Sequence, residues 1–509
     1  MPRSLFSVAV AVLIAVAAAS VYTTRLGDSP IYMIHDEVKF ALHAQSLSTT
    51  GRDLSGRVLP LYFSAPEFPP GRDPMFIYAT AAVLKVLPFS PASARLAAAL
   101  VGVANCVLMF FIGRRLFGSW WMGVLSALVL AMIPEHFIHS RLGLSIVFPL
   151  PFILAWILGV LRYLESREPW RLGLAFALLA CGIYGYLAAV VMTPIYCVAL
   201  AALWPERRER LPWLWACFGY ALPWIPMLLW HIVHPERMTG LATEYRVDAP
   251  SAQSLLGLFT YGGLRLRLDL WWSFFSPEFL FLSGDPNYVN STREAGYFPI
   301  AFVVLLPLGA LAIWRGAGGA IGRMSLFGLI SGPLAAVLFG GLGANRLMFA
   351  IPFGALVAMF GLSWLIASPR WRARLLAGLL LSSMVWQFVG FYRDYMGPYR
   401  VRSAAWFGYN LSGAMRTALA ASEGGPIYIS PRIPHANVYW RFQAIQDGRA
   451  ALIDAAQYEE PGEFAPPGAI ALCPENNVAC APIDDGSWAT LSVPGEPDGR
   501  TQYRVMRRR

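Results

Sequence analysis

In the stretch "IYMIHDEVKFALHAQSL" (31–47), His35, Asp36 and Glu37 stand in a row just past the first apolar run, in a chain whose hydrophobic parts hold few acids. A carboxylate at that place can take the proton of an acceptor hydroxyl as a general base. The same pattern also suits an ordinary helix start, where acids accept backbone N–H groups and favour the helix dipole. Both readings stand on the residues alone. A phosphate leaving group needs little protonation, so one base with nearby cations suffices, whereas glycoside hydrolysis uses two carboxylates.

Arginines that could clamp a phosphate through paired donors are Arg141 in "HSRLG", Arg265 and Arg267 in "LRLRLD", Arg293 in "NSTREAG" and Arg346 in "GANRLMF". Headgroup contact at the end of a span is the plain alternative for each. Arg346 stands out because it begins an apolar run, where an unpaired charge is costly. Accessory candidates are His35, Glu67 and Asp73 in "APEFPPGRDPMF", and Glu135 and His139 in "PEHFIHSR". Asp36, Glu37, Glu135, His136 and His139 together offer ligands for a divalent cation, but no HExxH-like spacing is present, so the metal is left undecided and no cofactor is assigned.

The elements that must hold these groups are membrane helices. Hydrophobic residues make up 57% of the 509 residues and charged ones 14%, and the mean hydropathy is +0.51, more apolar surface than a soluble domain can hide. Eleven apolar runs approach or reach the roughly 20 residues of a spanning helix, near 5–24, 92–113, 119–134, 144–163, 171–186, 188–204, 213–231, 297–314, 322–340, 346–367 and 373–391. The first is read as a retained helix rather than a cleaved signal peptide, because many spans follow. Every second loop bears arginine ("GRRLFGSW", "RYLESREPWR", "WPERRERLPW", "WRGAGGAIGR", "SPRWRAR"), which puts those loops and the N-terminus on the cytoplasmic side.

The opposite side then receives the first outer loop (25–91), the long loop 232–296 and the tail. Runs at 74–87, 251–263 and 268–284 read as interfacial segments. The fold class is an all-α polytopic membrane protein (1–391) with a small extracytoplasmic α/β domain (392–509), in which Cys473 and Cys480 can pair. The net charge of +10 follows from the loop arginines, so nucleic acid is not a partner. GxxxxGK[ST] and strand-linked GxGxxG motifs are absent, which argues against an ATP-driven pump or a soluble nucleotide-sugar enzyme.

Five stretches taken in order carry a family resemblance: "HDEVKFALHAQSL", "SPASARLAAALVGVANCVLMFFIGRRLFG", "ALVLAMIPEHFIHSRLGLSIVFPLPFILAWILGVLRYL", "GLAFALLACGIYGYLAAVVMTPIYC" and "LSGDPNYVNSTREAGYFPI". The chain resembles the membrane-embedded GT-C glycosyltransferases, the group of the protein O-mannosyltransferases and the aminoarabinose transferase of lipid A. The third stretch carries a "P-x-H-x-x-x-S-R" pattern. The resemblance implies inverting sugar transfer from a polyprenyl-phosphate donor to a glycan, lipid or protein hydroxyl at the outer face of a bacterial inner membrane. It implies Asp36 as the base, Glu37 as its motif neighbour and Arg141 as the arginine after the third span. Many relatives carry a further acid after the "SR" pair; here "LGLSIVFPLP" has none. A transporter or flippase of a lipid-linked sugar is the alternative, using the same groove and cations without a base.

Overall fold

The structure, a computed structural model, describes residues 3–63, 74–204, 210–234, 260–339, 341–461, 465–477, 480 and 486–509. Among the described residues, seven helical segments are long and apolar enough to cross a membrane: Leu5–Thr23, Pro91–Leu116, Ser145–Ser166, Arg210–Val233, Gly319–Leu338, Ala350–Ala367 and Trp371–Met396. Four shorter ones, Trp120–Ala131, Pro169–Tyr184, Ala189–Leu203 and Phe302–Trp314, fill the remaining expected positions. Proline shortens or breaks several of the eleven: Pro194 and Pro307 lie inside helices, and Pro223 separates Arg210–Ala221 from Trp224–Val233. The chain is an integral membrane protein.

Close packing at the centre needs small residues. A Cβ on Gly309 would fall 1.9 Å from the Val357 carbonyl oxygen, and one on Gly361 would fall 2.3 Å from that of Leu305. Helices 302–314 and 350–367 therefore meet backbone to backbone, as small residues permit in membranes. Two of the arginine-bearing loops touch neighbouring ones. Arg115 pairs with Glu165, and Arg323 donates to the Leu203 carbonyl at 2.8 Å.

Beyond the last long helix, a mixed five-stranded sheet runs in the order β2-β1-β3-β5-β4, from β1 (Ile427–Ile429), β2 (Ala456–Gln457), β3 (Ile470–Pro474), β4 (Trp488–Leu491) and β5 (Tyr503–Arg508). β1 is parallel to β2 and β3, and β5 is antiparallel to β3 and β4. The period of two sorts its side chains. Ile470 and Leu472 face a core shared with helices Leu411–Ala421 and Ala436–Gln446, while Ala471 and Cys473 face a second cluster with Cys480 and Trp488. Cys473 and Cys480 are joined as a disulfide.

Candidate active site

The helix His35–Thr50 begins at the residues of interest. Glu37 Oε2 accepts from the Ile34 N–H at 3.1 Å, and Gly51 closes the far end with φ 69°. Glu37 is fully buried: Arg95 donates to its two oxygens at 2.8 and 3.1 Å, and the Gly143 N–H donates to Oε1 at 2.7 Å. Arg95 also donates to the carbonyls of Leu26 (3.1 Å), Pro30 (2.8 Å) and Tyr32 (2.5 Å), so every N–H of its guanidinium is engaged. The oxygens of Glu37, expected to share in catalysis, are engaged by a buried ion pair and two backbone groups.

Asp36 is placed differently. Its side chain is 30% exposed, and His35 Nε2 lies 3.5 Å from Oδ1. None of the five candidate arginines forms an ion pair with it.

Arg141, expected at the donor phosphate, is engaged by backbone carbonyls. Its guanidinium donates to the carbonyls of Tyr22 (2.6 Å), Thr24 (2.8 Å), Arg25 (3.3 Å) and Ser29 (2.9 Å), while the Arg141 side chain itself is buried. These bonds hold the segment 22–29 in shape. Arg141→Ala should strand those carbonyls and lower stability by about 3 kcal/mol or more, read as a fall in thermal midpoint and yield. A phosphate clamp would instead leave the fold intact and raise the donor KM. The rest of the "P-x-H-x-x-x-S-R" pattern is structural in the same way. His136 meets the Tyr22 hydroxyl at 2.8 Å and Asn105 at 3.3 Å, and Ser140 Oγ donates to the His136 carbonyl.

Glu135 and His139 are buried and face each other at 3.4 Å. Burial, with Asp285 adding, pushes the Glu135 carboxyl well above its usual range, and burial pulls His139 down to about 3. Burial thus favours the uncharged form of each. Arg265 is exposed and lies 3.7 Å from Asp269, and Arg267 is buried with a bond to the Gly263 carbonyl. Neither is brought to Asp36. Glu67 and Asp73 lie outside the described residues.

Arg293 and Arg346 lie on two segments that are tied together. Asp285, which the sequence reading did not single out, accepts from the N–H groups of Asn287 (2.8 Å) and Ala344 (2.6 Å) and from the Asn290 side chain (3.1 Å). It thereby ties the loop bearing Arg293 to the turn bearing Arg346. Arg402 donates to the Thr292 carbonyl, Arg400 to that of Asp28 and Arg25 to that of Met396. These bonds link the loop, the end of the last long helix and the segment that follows the first helix into one layer. Arg293 is exposed and Arg346 partly so, with Arg346 donating to the Gly341 carbonyl.

For a divalent cation, the one close group among the described residues is Glu460 with Cys473 and Cys480, and those cysteines are already disulfide-bonded. The set Asp36, Glu37, Glu135, His136 and His139 does not form such a group, since Glu37 is held by Arg95 and His136 by Tyr22 and Asn105.

Two turns past Asp36, burial lowers His43 to about 4, with Arg57 and Arg441 lowering it further against the opposing pull of Asp53. An unfolded His43 charges below about 6.5, so stability present at neutral pH is lost as pH falls from there through about 4. The loss should be on the order of 3 kcal/mol. Thermal midpoints of wild type and His43→Phe measured from pH 7.5 to 4 check it: the variant should fall less.

Residues 69–230 match the family described as Dolichyl-phosphate-mannose-protein mannosyltransferase. The whole chain superposes on ArnT from Cupriavidus metallidurans bound to undecaprenyl phosphate, with TM-score 0.61, 14% identity and 97% of each chain covered. It also superposes on the apo form of that protein, with TM-score 0.57, 13% identity and the same coverage. No curated protein sequence matches the chain. The chain thus shares the fold of ArnT and carries a small C-terminal sheet. The resemblance read from the sequence stands, with a mannosyltransferase-family match in the first half and an ArnT-like architecture throughout.

Proposed function

We propose that the protein is an inverting glycosyltransferase that moves a sugar from a polyprenyl-phosphate carrier to a hydroxyl of a lipid, glycan or protein. In this reading the N-terminus is cytoplasmic, and the reaction runs at the outer face of a bacterial inner membrane. The observation that carries it is the split between two adjacent acids: Glu37 anchors the helix on Arg95, and Asp36 is held at that helix start with its carboxylate accessible. Asp36 takes the acceptor hydroxyl proton while the acceptor oxygen bonds to the anomeric carbon. The bond from that carbon to the phosphate oxygen breaks on the opposite face, and its electron pair leaves with the phosphate. Arg293 and Arg346, carried by the same outer layer, stabilise the departing charge.

A cavity of about 690 Å³ between helices 74–84, 169–181 and 210–233 is lined by apolar groups including Leu61, Met75, Tyr78, Cys181, Leu222 and Ile225. It suits the hydrocarbon of the carrier. Helix 74–84 connects it to the site, because Phe76 packs edge-on against Phe40 of the Asp36 helix. The support from ArnT is its structure with undecaprenyl phosphate. Filling the cavity with Cys181→Trp should raise the donor KM about tenfold with kcat little changed, the signature of lost uniform binding. Transfer from a panel of polyprenyl-phosphate sugars by purified protein, with both constants measured, tests it.

A further inference from the structure

The C-terminal sheet domain reaches the candidate base. His435 lies at the start of helix 436–446, and its ring stacks on His35 with centroids 4.3 Å apart and planes 12° from parallel. His35 Nε2 in turn lies 3.5 Å from Asp36. The backbone at His435 is left-handed, with φ 55°, a conformation that glycine adopts freely and other residues rarely do. A side chain kept at such a position invites a functional explanation. The domain is firmly seated on the same helix. Tyr439 donates from its hydroxyl to the Met33 carbonyl at 2.8 Å, and Met33, Val38, Ala41 and Leu42 belong to the domain's own core with Val438 and Phe442.

We propose that His435 is a positioning residue for sugar transfer: stacked on His35, it fixes the His35–Asp36 pair from outside, as Arg95 fixes Glu37 from inside. The domain then forms one wall of the site, and acceptor approach is bounded by it. This rests on the reading of Asp36 as the base.

The backbone supplies a test that a merely structural role would fail. His435→Gly removes the ring and suits the left-handed backbone, so the thermal midpoint should hold or rise. Transfer should nevertheless fall about tenfold in kcat, the scale of a base left loosely oriented. Donor KM should stay within about twofold. His435→Phe restores a ring for stacking and should recover most of kcat. The assay uses the full-length protein and the polyprenyl-phosphate sugar that wild type accepts best, with Asp36→Asn in parallel.

A wild-type kcat for His435→Gly overturns the inference, and so does an equal loss in the Gly and Phe variants. Normal transfer by Asp36→Asn overturns the reading beneath it. Loss in Asp36→Asn with none in His435→Gly overturns the positioning role alone.

Discussion

Glu37→Ala is expected to abolish the folded protein, with the loss of activity following from that. The substitution leaves the Arg95 guanidinium buried without its counter-charge and strands the N–H groups of Ile34 and Gly143. Removing one partner of a buried ion pair costs about 3–5 kcal/mol, a large share of the stability of an ordinary domain. Arg95→Ala should do the same, and in addition frees the carbonyls of Leu26, Pro30 and Tyr32. Yield of monodisperse protein and its thermal midpoint in detergent check both. The double variant Glu37→Gln/Arg95→Met, which removes both charges and keeps volume, should recover part of the loss. If Glu37→Ala were well folded and only inactive, Glu37 would return as a catalytic group.

Asp36→Asn is expected to behave in the opposite way, with the fold intact and transfer lost. The side chain is partly exposed and its contact is with His35, so an isosteric amide disturbs little. A positioned general base contributes about 10²- to 10⁴-fold to a reaction, and the amide cannot accept the proton. The effect should appear in kcat at saturating donor, with the carrier still bound through its phosphate and hydrocarbon. Asp36→Glu keeps the carboxylate and moves it, so it should retain a fraction of the rate between the two.

The sequence made the helices legible because spans are long and lipid leaves no other use for such runs. The site was harder to read. Asp36 and Glu37 are neighbours in the chain and look interchangeable there; what separates them is Arg95, which lies 58 residues further on. That arginine carried a readable signal, since a lone charge in "SPASARLAAAL" must find a partner. Arg141 is ambiguous in the sequence for a related reason. An arginine at a span end fits a phosphate clamp and a carbonyl anchor equally, and only the fold of residues 22–29 around it decides. His435 and Asp285 gave no signal, since each acts through contacts distant in the chain.

The most direct test of the account is label transfer from radioactive polyprenyl-phosphate sugars in membranes holding equal folded amounts of wild type and Asp36→Asn, scored in lipid, glycan and protein fractions. The account predicts label moving to one fraction with wild type and none above background with the variant. Equal transfer by both would contradict it, reduce Asp36 to a helix-start residue and favour a transporter of the lipid-linked sugar.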